Sequence, residues 1–123
     1  MTTTTHDLIR AWLPLWNGAT HLARDLVSDD FTIWLAGAET WDTLTGPDEF
    51  AAAIDVFRAD RPDLVFAGHD APLVDGERGA LTWTATRSVD GAQRVLGGLD
   101  VFSVRDGRIH RVWSITGARA FTF

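Results

Sequence analysis

Asp100 is the residue of this sequence best placed to move a proton. It stands in Leu99-Asp100-Val101-Phe102, with apolar neighbours on both sides along the chain. A carboxyl group in such a segment is costly to ionise unless it is paired or hydrogen-bonded. Two readings follow. One is a structural ion pair with an arginine such as Arg87 or Arg111. The other is a carboxyl with a raised pKa in an apolar pocket, able to give or take a proton. His69, beside Asp70, and His110, in the last strand-like run, are the imidazoles that could assist it. His6 and His21 fall on helix surfaces. No two histidines have metal-binding spacing and there is no HExxH segment, so no metal site is expected.

Composition removes several other chemistries. The 123 residues contain no Cys, so thiol nucleophiles and thiolate metal sites are excluded, and no Tyr, so there is no phenolic donor. All 11 basic residues are Arg, which leaves no lysine for a Schiff base. The Gly97-Gly98 pair is followed by no helix, so it signals close packing or a bulge and not a phosphate loop. No Gly-x-Ser-x-Gly elbow is present, and no cofactor is expected. A net charge of −6 argues against nucleic acid or an anionic membrane as the main partner. The longest apolar stretches are far too short to span a bilayer, and Met1 to Thr5 carries no targeting signal. A soluble cytoplasmic protein is expected, with residues 1–5 a flexible tail and 6–123 one domain.

The elements that must position Asp100 are legible from periodicity. Leu8, Ile9, Trp12, Leu13 and Trp16 share one helical face, Thr4 and Asp7 form a capping-box pair, and Pro14 predicts a kink or an early end. A second short helix covers Ala19 to Val27. Phe31 to Leu35 is β-branched and aromatic, hence a strand. Pro47, Asp48 and Glu49 open a third helix that buries Phe50, Ile54 and Phe57 and stops before Pro62. Asp75-Gly76, Asp90-Gly91 and Asp106-Gly107 then separate four antiparallel strands near 63–73, 78–89, 93–104 and 108–118. Helices in front and strands behind make an α+β domain of order α-α-β-α-β-β-β-β.

The strand faces sort by their period of two. Leu81, Trp83, Ala85 and Arg87 form the face under the helices, and Thr82, Thr84 and Thr86 the other. Near Asp100 both sets are apolar, so a second cover is expected, and a homodimer through the outer sheet face supplies it. His110 has the parity of Val112, Ser114 and Thr116, a row that could line a cavity or form a wet face. The six Trp fill the core or build flat walls for an aromatic ligand.

The element order resembles the NTF2-like superfamily, together with WLPLWNGATHLARDLVSDDFTIW in front and GGLDVFSVRDGRIHRVWS behind. Within it the chain is similar to SnoaL-like polyketide cyclases and ketosteroid-isomerase-like proteins. The resemblance implies a cone, a curved sheet wrapped around a pocket with helices closing its side. It places Asp100 where ketosteroid isomerases keep a protonated Asp in the oxyanion hole. Their general-base Asp falls on or near Leu35 and their Tyr donor near Ala11 and Trp12, and the last-strand Asp of fold-related epoxide hydrolases falls near Ser114. Both mechanisms thus lack essential groups in this chain.

The functional expectation is proton transfer (isomerisation, cyclisation or dehydration) on a small, apolar or polycyclic ligand, within natural-product biosynthesis. Asp100 is the acid/base and His69 and His110 its assistants. Trp12, Trp16, Leu35, Phe57 and Leu81 are expected to contact substrate, together with Trp83, Phe102, Val112 and Ser114. The alternative is a pocket that binds a hydrophobic ligand without chemistry.

Overall fold

The structure is a computed structural model and describes residues 3–117 and 119–122. Helix α1 (Thr5–Trp16) starts where its chemistry dictates. The Thr4 hydroxyl accepts the Asp7 N–H at 3.1 Å, and the Asp7 carboxylate accepts the Thr4 N–H. Thr4 is thus the cap and Thr5 the first helical residue. Thr4→Ala should lower stability by about 1 kcal/mol, read as a reduced midpoint in urea. The helix ends at Trp16, within the Leu13–Trp16 stretch where Pro14 leads one to expect a kink or an early end.

A 3₁₀ turn (Thr20–Leu22) and the one-turn helix α2 (Ala23–Leu26) lead into β1 (Val27–Leu35). That strand begins four residues earlier than Phe31, because its pairing with the last strand is interrupted by an irregularity between Val27 and Thr32 that admits the acidic pair Asp29-Asp30. After a second 3₁₀ turn (Glu39–Thr43), α3 (Gly46–Ala59) carries Phe50 and Ile54 into the core.

The rest is sheet. The expected strand over 63–73 divides into β2 (Val65–Gly68) and β3 (Leu73–Asp75), both on the same edge of β4 (Arg78–Val89). Long hairpins join β4 to β5 (Ala92–Arg105) and β5 to β6 (Arg108–Thr116). Their turns have positive φ at both central residues, Asp90 (52°) with Gly91 and Asp106 (54°) with Gly107, the backbone that matches strand twist. The sheet order is β1-β6-β5-β4-β2, antiparallel except for the parallel β1–β6 pair, and the curved sheet stays open. This is the α+β cone expected from the sequence.

Its inner face is laid out in cross-strand rows. The deepest row, Gly79, Phe102 and Val112, is a plug closed by the fully buried Trp12, Phe31 and Phe50. Leu81, Asp100 and Ser114 come next, then Trp83, Gly98 and Thr116, then Ala85 and Leu96, and finally Arg87 opposite Arg94. Thus the chain register alone orders the interior from apolar plug to carboxyl to aromatic wall to cations. Among the described residues, no helix is long and apolar enough to cross a membrane.

Candidate active site

A cavity of about 250 Å³ occupies the cone above the Asp100 row. Its walls are aromatic. The Trp16 and Trp41 rings stack with centroids 5.4 Å apart, and Phe57 and Phe66 meet Trp16 edge-on at 5.8 Å each. On the sheet side Phe66 packs edge-on against Trp83 at 5.3 Å. A volume near the lower end of the small-molecule range, roughly 300–1,000 Å³, suits one or two fused rings.

Asp100 lies at the floor, 4% exposed. The Trp12 indole Nε1–H donates to its Oδ2 at 2.8 Å across 88 residues of sequence. Oδ1 is buried without a hydrogen-bond partner, and so is the neighbouring Trp83 Nε1. Burial pushes the Asp100 carboxyl above the usual range. The Ser114 hydroxyl and the Trp12 and Trp83 indoles pull it partway back, although only Trp12 makes a well-formed hydrogen bond to it and the other two act as nearby dipoles. Among the described residues no arginine lies within salt-bridge distance of Asp100, so the ion pair with Arg87 or Arg111 does not form. What remains is a carboxyl whose ionisation is disfavoured by burial at the end of an aromatic cavity.

Local sequence explains this geometry. Gly98 carries no Cβ, which lets the Trp83 ring lie flat across β5, one row from Asp100; an added Cβ would fall inside that ring. Trp12 reaches Asp100 because α1 packs over β4, with Trp12 stacked on Phe50 at 5.5 Å. The indole N–H therefore occupies the region where the resemblance puts a tyrosine donor, and it points at the carboxyl.

The expected site residues divide. Trp16, Leu35, Phe57, Trp83 and Ser114 line the cavity with Asp100. Trp12 acts on it from behind, through its hydrogen bond. Leu81, Phe102 and Val112 have the right parity but do not line the cavity; Phe102 and Val112 sit in the plug beneath the floor.

Neither histidine joins Asp100. His69 continues the outward parity of β2, and its ring packs against Phe121 at 5.0 Å. His110 is displaced by a bulge. Val104 pairs with Ile109 and Ser103 with Arg111, so His110 has no opposite partner and the inward parity passes to Ile109. Its Nδ1 lies 3.4 Å from Asp30 Oδ1. The Ser28 hydroxyl and the Arg105 guanidinium hold that Asp30 carboxyl down to about 2. Neither His69 nor His110 lines the cavity, against the expectation that both would assist Asp100 there.

Trp41, Phe66, Leu64 and Leu13 complete the walls, with Ala85 and Leu96 above the floor and Arg61 and Arg87 beyond. Ala85, Arg87 and Leu96 share the inward parity of Trp83 and Asp100, so the strand period could have found them. Trp41 sits on a 3₁₀ turn, where no period applies.

A family model described as a SnoaL-like domain matches residues 9–112. The chain belongs to this family. No curated protein matches the sequence. Among solved structures, IdmH from Streptomyces antibioticus, a candidate polyketide cyclase, is 23% identical over 91% of both chains, with a TM-score of 0.74. A SnoaL-like polyketide cyclase from Agrobacterium tumefaciens is 19% identical over 94% of this chain and 92% of its own, with a TM-score of 0.73. A candidate ketosteroid isomerase from Kribbella flavida is 24% identical over all of this chain and 85% of its own, with a TM-score of 0.72. At such identities the likeness establishes a shared fold for the SnoaL-like chain.

Proposed function

We propose that this SnoaL-like chain is an enzyme of proton transfer that isomerises, cyclises or dehydrates a small, largely apolar metabolite in natural-product biosynthesis. Asp100 is its acid/base. The observation that carries the reading is Asp100 Oδ1, buried and unpartnered at the floor of an aromatic cavity. Trp12 occupies Oδ2, so in this reading the proton of the neutral carboxyl sits on Oδ1. A carbonyl or hydroxyl oxygen placed there receives a hydrogen bond that strengthens as charge develops on it. Enolisation, aldol-type ring closure and loss of a hydroxyl all pass through such an oxygen. Asp100 is the sole acid lining the cavity among the described residues, and Leu35 stands where a second carboxylate would be needed.

The test is a ¹³C NMR titration of the Asp100 carboxyl together with exchange of the α-hydrogens of 2-tetralone in D₂O. The expected midpoint lies above the ordinary aspartate value of 3.8, and exchange is faster than in buffer. A midpoint at or below that value rejects the acid/base role. The absence of a second carboxylate favours the alternative, a hydrophobic-ligand carrier. Quenching of Trp fluorescence by 2-tetralone with no exchange would select it.

Our reading includes a homodimer through the outer sheet face. Trp34, Trp113, Ile115 and Val65 are exposed there in the single chain, an apolar surface that a second copy would cover. Light scattering at micromolar concentration should give twice 13.5 kDa, and Trp113→Arg should halve it. A wild-type mass equal to one chain would refute the dimer.

A further inference from the structure

We propose that the cavity is built for an apolar ligand bearing a carboxylate, held at the end opposite Asp100 by Arg87 with Arg94 and Arg61 in support. The inference rests on the reading of this cavity as a ligand site and adds the polarity of its ligand. Arg87 has the inward parity of β4 one step before Val89 at the turn, and it is the residue of β4 farthest from Asp100 that lines the cavity. Its Nε is buried without a hydrogen-bond partner. Directly opposite in register stands Arg94, exposed and outside the cavity lining, so two arginines share one face of one strand pair. Like charges in that position destabilise a sheet unless something anionic lies between them.

Among the described residues neither Arg87 nor Arg94 forms a salt bridge, and the nearby acid is Asp63. Asp63, whose carboxylate feels the charge of Arg87, gives its Oδ2 to the Ser88 N–H at 2.7 Å. Across the cavity Arg61 donates to the Phe57 carbonyl at 3.0 Å, and its guanidinium lies 4.2 Å over the Phe57 ring. This leaves Arg61 charged at the wall with part of its fork unused. Cations thus gather at the rim of a chain whose net charge is −6.

The register supplies a ruler. Arg87 and Leu81, the β4 partner of Asp100, are six residues apart on one strand face, roughly 20 Å of backbone at about 3.4 Å per residue. A carboxylate caught by the planar fork of Arg87 would leave its apolar body along Trp83 and Trp41, with the far end toward Asp100. Binding energy from the remote acid would then position the reacting oxygen.

The experiment compares 2-naphthoate with its neutral analogue 2-naphthamide by isothermal titration calorimetry. Wild type is expected to bind the acid at least about tenfold more tightly. In Arg87→Gln the ratio should fall to threefold or less with the naphthamide affinity unchanged, and Arg87→Lys should keep part of the preference. Equal affinities in wild type, a preference that survives Arg87→Gln, or no binding of either probe would each overturn the proposal. Asp100→Asn separates it from the proton-transfer reading, since that variant should retain the acid preference whatever happens to exchange.

Discussion

Asp100→Asn will abolish proton transfer and at the same time stabilise the fold at neutral pH. The activity arm is direct. A positioned general acid contributes about 10²–10⁴-fold, so α-hydrogen exchange should fall by that factor. The stability arm follows from burial, which raises the folded-state pKa above the unfolded one. Between the two values the native state keeps a proton that the unfolded chain has released. The group's contribution is therefore complete below the unfolded value of 3.8 and is lost as pH rises through the folded pKa. Asparagine has the same shape, still accepts from Trp12 and never ionises. The variant should match wild type near pH 4 and exceed it increasingly up to the folded pKa. Each kcal/mol gained is worth about 4 °C in Tm for a domain of this size. Thermal unfolding at pH 4, 6 and 8 reads the effect. A variant less stable than wild type at pH 8 would mean that the carboxylate is stabilised by a partner, and the proposed chemistry would lose its basis.

Gly98→Ala is expected to cost about 1–3 kcal/mol, or more, although it adds a single methyl group. The new Cβ would overlap the six-membered ring of Trp83. That ring has little room to retreat, being 5% exposed with Phe66 edge-on at 5.3 Å. Overpacking of this kind forces a side chain off its rotamer or the strands apart. Either response moves the Trp83 N–H relative to Asp100, so the affinity for 2-tetralone should fall with stability. Trp83→Leu in the same background tests the cause. If the clash is with the indole, the double variant will be more stable than the two single costs predict when added. Urea denaturation of all four proteins closes the cycle. A Gly98→Ala protein as stable as wild type would show that the ring does not depend on this glycine.

The two glycines of the Gly97-Gly98 pair serve opposite faces. Gly98 accommodates Trp83 inside, whereas Gly97 lies against the Arg119 carbonyl and the Phe121 ring outside. The sequence reading of close packing was right for both. It did not reveal what packed there, because both partners lie far away along the chain or on another strand.

Local physics decided what the sequence could decide. Helical spacing, the Thr4–Asp7 box, the Gly-Pro helix start and the Asp-Gly turns act within a few residues, and they specified an α+β order with Asp100 in the middle of a strand whose two faces are both apolar. Parity also put Trp83 on the face under the helices, and it left the row of Ser114 open between a cavity and a wet face. Tertiary structure decided the chemistry of that position. Whether Asp100 met a guanidinium or an indole depended on which helix residue crossed it 88 positions away, and that residue is Trp12. Strand parity failed for His110, because one extra residue in a bulge exchanges the faces of everything before it. It failed differently for Leu81, Phe102 and Val112, because parity names a face and says nothing about depth within a cone. Local order is encoded by neighbours in the chain; the protonation state of a buried group is set by neighbours in space.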